Sequence, residues 1–417
     1  MDKKYFKSIK KIVNMVSKFC VESKRDLSDY EIKDYIYKKV KEEIEGSLNL
    51  KQKQKIVEII YNSINGLGPL QPLIEDENIT EIMINSTDEI FIEKGNKIKK
   101  IENFFYSEDE LLEIIQKIVS KINRVVNESN PIVNARLENG SRVNVVLPPI
   151  ALKGPTVTIR KFPEKAMTIN RLIEYKTLNK KVAKFLEKLV KSKFNIFISG
   201  GTSSGKTSLL NALSNFIPKD ERIITIEDLA ELRLVNIKNL VKLETRNKNL
   251  EGSGLITIRD LIKTSLRMRP DRIIVGEVRG KEALEMLQAM NTGHDGSLST
   301  GHANSVKDML TRLETMVLSA EKMPLLSIKK QIASAIDIII HLSKLRDGSR
   351  KIMEISEIDK VINGEIQLNP IYKFIEDENS LKDKVYGELK LINSKLKNTQ
   401  KLKNSKLQLG LGEKNDF

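Results

Sequence analysis

Eight consecutive residues, Gly200-Gly201-Thr202-Ser203-Ser204-Gly205-Lys206-Thr207, have the types and spacing of a phosphate-binding loop, G-x-x-x-x-G-K-S/T. Glycines let backbone N–H groups close around phosphate oxygens, and a helix starting at the loop adds the positive end of its dipole. Lys206 would then reach the β- and γ-phosphates of a nucleotide such as ATP, and the Thr207 hydroxyl would bind Mg2+. The flanks fit this chemistry. Asn195-Ile196-Phe197-Ile198-Ser199 reads as an apolar strand entering the loop, and Ser208-Leu209-Leu210-Asn211-Ala212-Leu213 as the helix leaving it. The nucleotide-binding stretch therefore runs from Gly200 to Ser208 (Gly200, Gly201, Thr202, Ser203, Ser204, Gly205, Lys206, Thr207, Ser208). A plain Gly/Ser turn is the competing reading, and the flanks argue against it.

Binding alone is not turnover; hydrolysis needs carboxylates across the sheet. Arg272-Ile273-Ile274-Val275-Gly276-Glu277 is an apolar strand ending in Glu277, the Walker-B position. Arg222-Ile223-Ile224-Thr225-Ile226-Glu227-Asp228 ends in a carboxylate pair. Ligands of open parallel sheets lie at the carboxyl ends of strands, so Glu227 and Glu277 are both expected to point at the nucleotide. One would hold Mg2+ through water and the other would polarise the attacking water. The chain has 3 histidines. His302 and His294 flank a Gly/Ser-rich stretch and are candidates for contact with the γ-phosphate or its water, whereas His341, within Ile338–Leu342, reads as structural. No Cys or paired His stands at zinc-ligand spacing.

The elements that must position these groups follow from patterning. Residues 1–66 read as an N-terminal helical segment, with apolar residues spaced at three and four. Residues 67–165 read as a small α+β domain: strands over 79–84 and 90–101 with a turn at Gly95-Asn96, and a helix opened by Ser107 and Glu110. A hairpin turning at Asn139-Gly140 and a strand over Thr156–Arg160 follow. From 166 to 375 helices and strands alternate, the mark of a parallel α/β sheet, closed by hairpins at Asp347-Gly348 and Asn363-Gly364. Residues 376–417, rich in Lys and Asn, read as a basic tail that is partly disordered, with a lone basic amphipathic helix as the alternative.

Composition narrows the class. The 417 residues suit two or three domains, and one cysteine excludes an internal disulfide. No apolar run approaches a membrane span and no secretory signal is visible, so a cytoplasmic protein is expected. The balance of 71 Lys+Arg against 56 Asp+Glu gives +15. That charge suits nucleic acid, an anionic membrane surface or a plain solvated exterior. Nucleic acid is disfavoured, since no basic stretch is studded with aromatics for stacking single-stranded bases.

Residues 67 to about 375 resemble the type II/IV secretion ATPase superfamily, especially the CpaF-type ATPases of Flp (tight-adherence) pili. The resemblance rests on Ala135-Arg136-Leu137, Gly140-Ser141-Arg142-Val143-Asn144, Leu147-Pro148-Pro149 and Thr158-Ile159-Arg160-Lys161-Phe162. It continues through the phosphate loop, Thr225-Ile226-Glu227-Asp228, Leu243-Glu244-Thr245-Arg246, Arg267-Met268-Arg269-Pro270-Asp271-Arg272, Gly276-Glu277-Val278-Arg279-Gly280, and the run from Ala289 to Asn304. The resemblance implies a homohexamer with a RecA-like P-loop domain that hydrolyses ATP with Mg2+, and a preceding domain that closes over the nucleotide. It implies peripheral work at the inner face of the cytoplasmic membrane on a platform protein, driving pilus assembly or secretion. Glu227 and Asp228 match the family's Asp box, with Thr207 completing the Mg2+ set; Glu277 matches the Walker-B glutamate and His302 the His box. Arg142 and Arg160 match the arginines offered to the phosphates. One departure stands out: Gly301 occupies a position that is usually bulky and apolar. The alternatives are a RecA-like nucleic-acid translocase, a conjugation-type secretion motor, or a nucleotide-binding regulator without turnover.

Overall fold

A computed structural model describes residues 5–406 except 24, 45–47, 96, 102–104, 106, 122–124, 163–166, 247 and 249–252. Asn96 of the first expected turn and residues 407–417 of the tail thus lie outside the described residues. The chain divides into two compact units, Met1–Glu164 and Lys165–Phe417.

The first unit opens with three helices, α1 (Phe6–Glu22), α2 (Asp29–Glu43) and α3 (Leu50–Asn65). Ser28 with Glu31 and Asn49 with Gln52 form reciprocal capping boxes that start α2 and α3. Their apolar stripes meet in a core of Ile12, Val16, Ile36, Val40, Ile56 and Ile60. A short α4 (Gln71–Glu75) leads to β1 (Ile79–Ser86), β2 (Glu89–Lys94) and β3 (Lys97–Ile101), then α5 (Glu108–Ser120), β4 (Ile132–Arg136), β5 (Arg142–Val146) and β6 (Thr156–Arg160). The strands form one sheet in the order β3-β2-β1-β6-β5-β4, with every neighbouring pair antiparallel. Alternation explains its two faces. Val143, Val145, Val157 and Ile159 are buried in a core shared with Leu111, Ile115 and Val119 of α5, while Arg142, Asn144, Thr158 and Arg160 stand on the other face.

The second unit begins with α6 (Ile169–Glu174), α7 (Lys180–Lys191), β7 (Ile196–Gly200), α8 (Lys206–Ser214), β8 (Arg222–Glu227), β9 (Asn239–Glu244), α9 (Ile258–Ser265) and β10 (Arg272–Val278). It continues with α10 (Glu282–Asn291), β11 (Leu298–His302), α11 (Val306–Ala320), α12 (Leu325–Ala335), β12 (Ile338–Lys344), β13 (Arg350–Ile362), β14 (Glu365–Glu376), β15 (Gly387–Leu391) and α13 (Gln400–Ser405). The 9-stranded sheet has the order β15-β14-β13-β12-β7-β11-β10-β8-β9. From β12 to β9 the pairs are parallel, and β13, β14 and β15 add on antiparallel. Both faces of the central strands are covered, which is why those strands read as continuous apolar runs. Ile196 and Ile198 pack with α7 and α8, while Phe197 between them packs with α10 and α11 on the opposite face. Each fully buried Leu, Ile or Phe here stabilises the fold by about 1.5–3 kcal/mol. The hairpin between β13 and β14 turns on Asn363 (φ 52°) and Gly364 (φ 79°), both positive, as a tight two-residue connection requires.

The expected partly disordered tail needs correction over residues 376–406. β15 pairs with β14 through Tyr372–Leu391 to Glu376–Gly387, and Leu389, Leu396 and Leu402 enter the core beneath the sheet. The segment is also pinned by charge. Buried Glu357 accepts backbone N–H bonds from Lys397 and Asn398, and Lys401 Nζ sits 2.7 Å from both Asp295 and Asp337. Backbone pairing and three apolar anchors hold it, neither of which a Lys/Asn-rich composition reveals.

Candidate active site

The sheet brings β7, β11, β10 and β8 side by side, and their carboxyl ends carry the sequence-predicted residues. β7 ends in Gly200, where an added Cβ would stand 2.5 Å from the Leu342 carbonyl oxygen of β12; only glycine fits. The loop then turns through Ser203 (φ 58°) and Gly205 (φ 96°) into α8. Asn179 and Thr257 cap the flanking helices α7 and α9 with side-chain oxygens, but α8 has no side-chain cap. Its first backbone N–H groups are thus left for a ligand at the loop, the arrangement that suits phosphate.

Lys206 is buried and folds back on the loop, donating to the carbonyls of Gly200 (3.1 Å) and Gly201 (2.9 Å). Its Nζ also lies 3.3 Å from His302 Nδ1, and His302 Nε2 lies 2.6 Å from Glu277 Oε1. An ammonium can only donate, so Nδ1 accepts and the imidazole proton sits on Nε2, facing Glu277. Burial and the adjacent Lys206 charge both push the His302 pKa down, which keeps the ring neutral. Glu277 Oε1 is buried and, among the described residues, no donor is aligned with it despite the short contact to His302. Burial pushes the Glu277 carboxyl up, but the Arg279 hydrogen bond and the neighbouring positive charges outweigh it, and the net shift is downward. Arg279 donates to Glu277 Oε2 at 2.7 Å and lies 3.6 Å from Asp228 Oδ2. A chain of contacts thus runs from Lys206 through the neutral His302 to Glu277, Arg279 and Asp228.

Glu227 departs from expectation. Ile226 pairs with Val275, so Glu227 stands beside Gly276, where an added Cβ would come 2.9 Å from its Cγ. Its carboxylate accepts the backbone N–H groups of Glu231 (2.9 Å) and Leu232 (3.1 Å). Burial raises its pKa to about 7 despite those bonds. The acid joined to Glu277 through Arg279 is Asp228, which follows the end of β8, not Glu227. His294 also differs from His302. It lies before β11, at the other end of that strand, with Nδ1 3.2 Å from the Ala289 carbonyl. His341 is buried against Ser199 Oγ at 2.8 Å.

Two arginines of this region escaped the sequence reading. Arg279 enters it only within a matching block and without a role; it lies just past the end of β10, two residues after Glu277. Arg350 carried no signal, because its Nε meets the Ser203 carbonyl (2.8 Å) only once β13 folds back from a point 147 residues away. In the first unit, Arg142 and Arg160 stand directly opposite each other on β5 and β6. Thr207 and Ser208 are half-buried in the first turn of α8.

Among the described residues no group of three or more His, Cys, Asp or Glu could hold a metal by itself. Mg2+ binds through oxygen and commonly combines one or two protein oxygens with substrate phosphates and water. The Thr207 hydroxyl, the Asp228 carboxylate and the buried Glu277 Oε1 are oxygen donors of that kind.

The family model "Type II/IV secretion system protein" matches residues 63–382. The chain belongs to this family. It is 31% identical over 304 residues to a conjugal transfer protein of Mycobacterium tuberculosis, covering 72% of this chain and 86% of that one. It is 32% identical over 326 residues to the type IV secretion system protein VirB11 of Bartonella henselae, covering 69% and 91%. The crystal structure of the pilus retraction motor PilT with bound ADP superposes with a TM-score of 0.52 at 19% identity, over 82% of this chain and 87% of that one. That likeness shows a shared fold, an α/β RecA-like P-loop domain. Among the described residues no helix is long and apolar enough to cross a membrane.

Proposed function

We propose that the second unit hydrolyses ATP and that the protein works as a hexameric secretion motor at the cytoplasmic face of a membrane. The observation that carries this reading is the chain Lys206–His302–Glu277 at the mouth of the phosphate loop. In the proposed cycle, Lys206 leaves the Gly200 and Gly201 carbonyls for the β- and γ-phosphates, a stronger, charge-assisted partnership. That removes the donor at His302 Nδ1 and frees the ring to bond a γ-phosphate oxygen. Glu277, ionised because its pKa is depressed, orients a water on the γ-phosphorus and accepts its proton. The new P–O bond forms as the bond to the β–γ bridging oxygen breaks, and ADP leaves. Thr207 and Asp228 would hold Mg2+, which when bound would supply charge neutralisation.

Relatives named for conjugal transfer and type IV secretion support a conjugation-type secretion motor over Flp-pilus assembly. A membrane platform protein is the partner this reading requires, with Arg142 and Arg160 adding charge toward the nucleotide. The test is steady-state ATPase activity across a protein concentration series, with and without anionic liposomes or single-stranded DNA. Specific activity that rises with concentration and with liposomes is expected. No phosphate release at any concentration, or stimulation by DNA alone that collapses with salt, would overturn the reading.

A further inference from the structure

β10 does not run straight into Glu277. Its first residues alternate as a buried strand should: Ile273 and Val275 join the core shared with α10 and α11, and Ile274 joins the opposite one, shared with α7 and α8. Strict alternation would turn Glu277 onto the face of Ile273 and Val275, into apolar core. Instead Val278, three residues after Val275, is the next side chain to enter that core. The register shows why. Val275 pairs with Ser299 and Val278 with Gly301, so β10 uses one residue more than β11 over this stretch. β11 itself is regular, pairing residue by residue with β7 from Leu298–Ile196 to His302–Gly200. The extra residue therefore belongs to β10, a bulge at Gly276-Glu277, and bulges re-aim side chains. This one releases Glu277 from the core face and lets it meet His302.

Two features hold the bulge. Gly276 lacks the Cβ that would stand 2.9 Å from Glu227 Cγ. Thr300, buried on the facing strand, donates its hydroxyl to the Gly276 carbonyl at 2.7 Å. An extra residue interrupts the ladder, and a side chain can satisfy the backbone group it disturbs. Here that bond lies one peptide away from Glu277.

We infer that Thr300 is a positioning residue: its hydroxyl fixes the Gly276 carbonyl, and with it the bulge that turns Glu277 out of the core toward His302. This rests on the proposed ATPase reading and adds to it a residue that acts only through Glu277.

The test measures ATP KM, kcat and melting temperature for Thr300→Val, Thr300→Ala and Thr300→Ser in the full chain, and for T300V combined with Glu277→Gln. Valine keeps the shape and loses the donor. Alanine loses the donor without setting a methyl against the carbonyl, so it carries the comparison if T300V fails to fold. A displacement of about 1 Å at a reacting group can cost about 100-fold, so kcat should fall about ten- to a hundredfold in T300V and T300A. KM should stay within a fewfold of wild type. T300S, which restores the hydroxyl, should recover most of kcat. On the E277Q background T300V should add less than about a twofold loss, since the carboxylate it positions is already gone. Wild-type kcat in T300V and T300A overturns this inference and leaves the ATPase reading standing. A loss that T300S does not recover, or that repeats in full on the E277Q background, also overturns it, because Thr300 then acts elsewhere. A raised KM at unchanged kcat does the same. If wild type itself releases no phosphate, the ATPase reading falls first and this inference with it.

Discussion

The carboxyl ends of the second unit's strands and the open face of the first unit's sheet both gather cationic side chains, but they treat charge in opposite ways. Around the phosphate loop, Lys206 and Arg279 are matched by Glu277 and Asp228 across a neutral His302. On the first unit's sheet, Arg136, Arg142 and Arg160 occupy facing positions on three neighbouring strands, next to Glu81 on β1. A balanced cluster holds its geometry before any ligand arrives, which is what positioned chemistry needs. Arginines at facing strand positions favour an anion, a contribution to binding rather than to positioned chemistry. The first arrangement should therefore govern hydrolysis and the second affinity.

The largest expected effect is at Lys206. Lys206→Ala removes the only Lys of the loop and should weaken ATP binding at least about 100-fold, read by fluorescent-nucleotide titration. Retained affinity would mean that the loop binds through its backbone alone and that the balanced cluster has another purpose. Glu277→Gln should do the reverse: bind ATP and lose roughly two or more orders of magnitude in kcat, the scale of a positioned acid–base group. Near-normal turnover would move the catalytic carboxylate elsewhere. Arg142→Gln belongs to the other side of the contrast, with KM up about tenfold, kcat within a fewfold of wild type, and a weaker salt dependence of KM. A fall in kcat instead would erase the division of labour.

Glu227→Gln asks whether the strand-end acids were sorted correctly. Glu227 titrates near 7 in the fold against an ordinary 4.5. Between those values the folded chain keeps a proton that the unfolded chain releases. The stability linked to that proton is fully present below pH 4.5 and is lost as pH rises through 7, about 3 kcal/mol in all. Gln can still accept the Glu231 and Leu232 N–H bonds and does not titrate, so urea melts of the variant should lose most of the decline that wild type shows between pH 5 and pH 8. Its kcat should fall far less than that of Glu277→Gln. An equal fall would return Glu227 to the chemistry.

That sorting shows where sequence reading stopped. The phosphate loop was legible because its chemistry lies in eight consecutive residues, and Glu277 because an apolar strand leads into it. Glu227 and Asp228 were legible only as a pair, since β8 ends at Glu227 and it is the following turn, bringing the Glu231 and Leu232 N–H groups onto Glu227, that separates their roles. β9 went unread because, as an edge strand, it is only partly covered and has no apolar run. β15 hid for the same reason, with Leu389 its one buried residue. The arginine row needed the pairing of three strands, and no local pattern announces register.

Gly301→Ile tests the smallest effect and the packing beneath the balanced cluster. A Cβ at 301 would stand 2.9 Å from Phe197 Cε1 and 3.1 Å from Met309 Cε, so the space a bulky neighbour of His302 would need is already filled from β7 and α11. The departure at 301 is thus matched by Phe197 rather than left as a hole. Restoring an isoleucine alone should overpack the core by about 1–3 kcal/mol and displace His302, lowering kcat a fewfold with KM little changed. Phe197→Leu added to Gly301→Ile should recover part of both losses, because the ring that clashes is gone. If the single variant melts and turns over like wild type, the His302–Glu277 contact does not depend on the packing below it, and the rigidity claimed for this site against the first unit's row loses its structural basis.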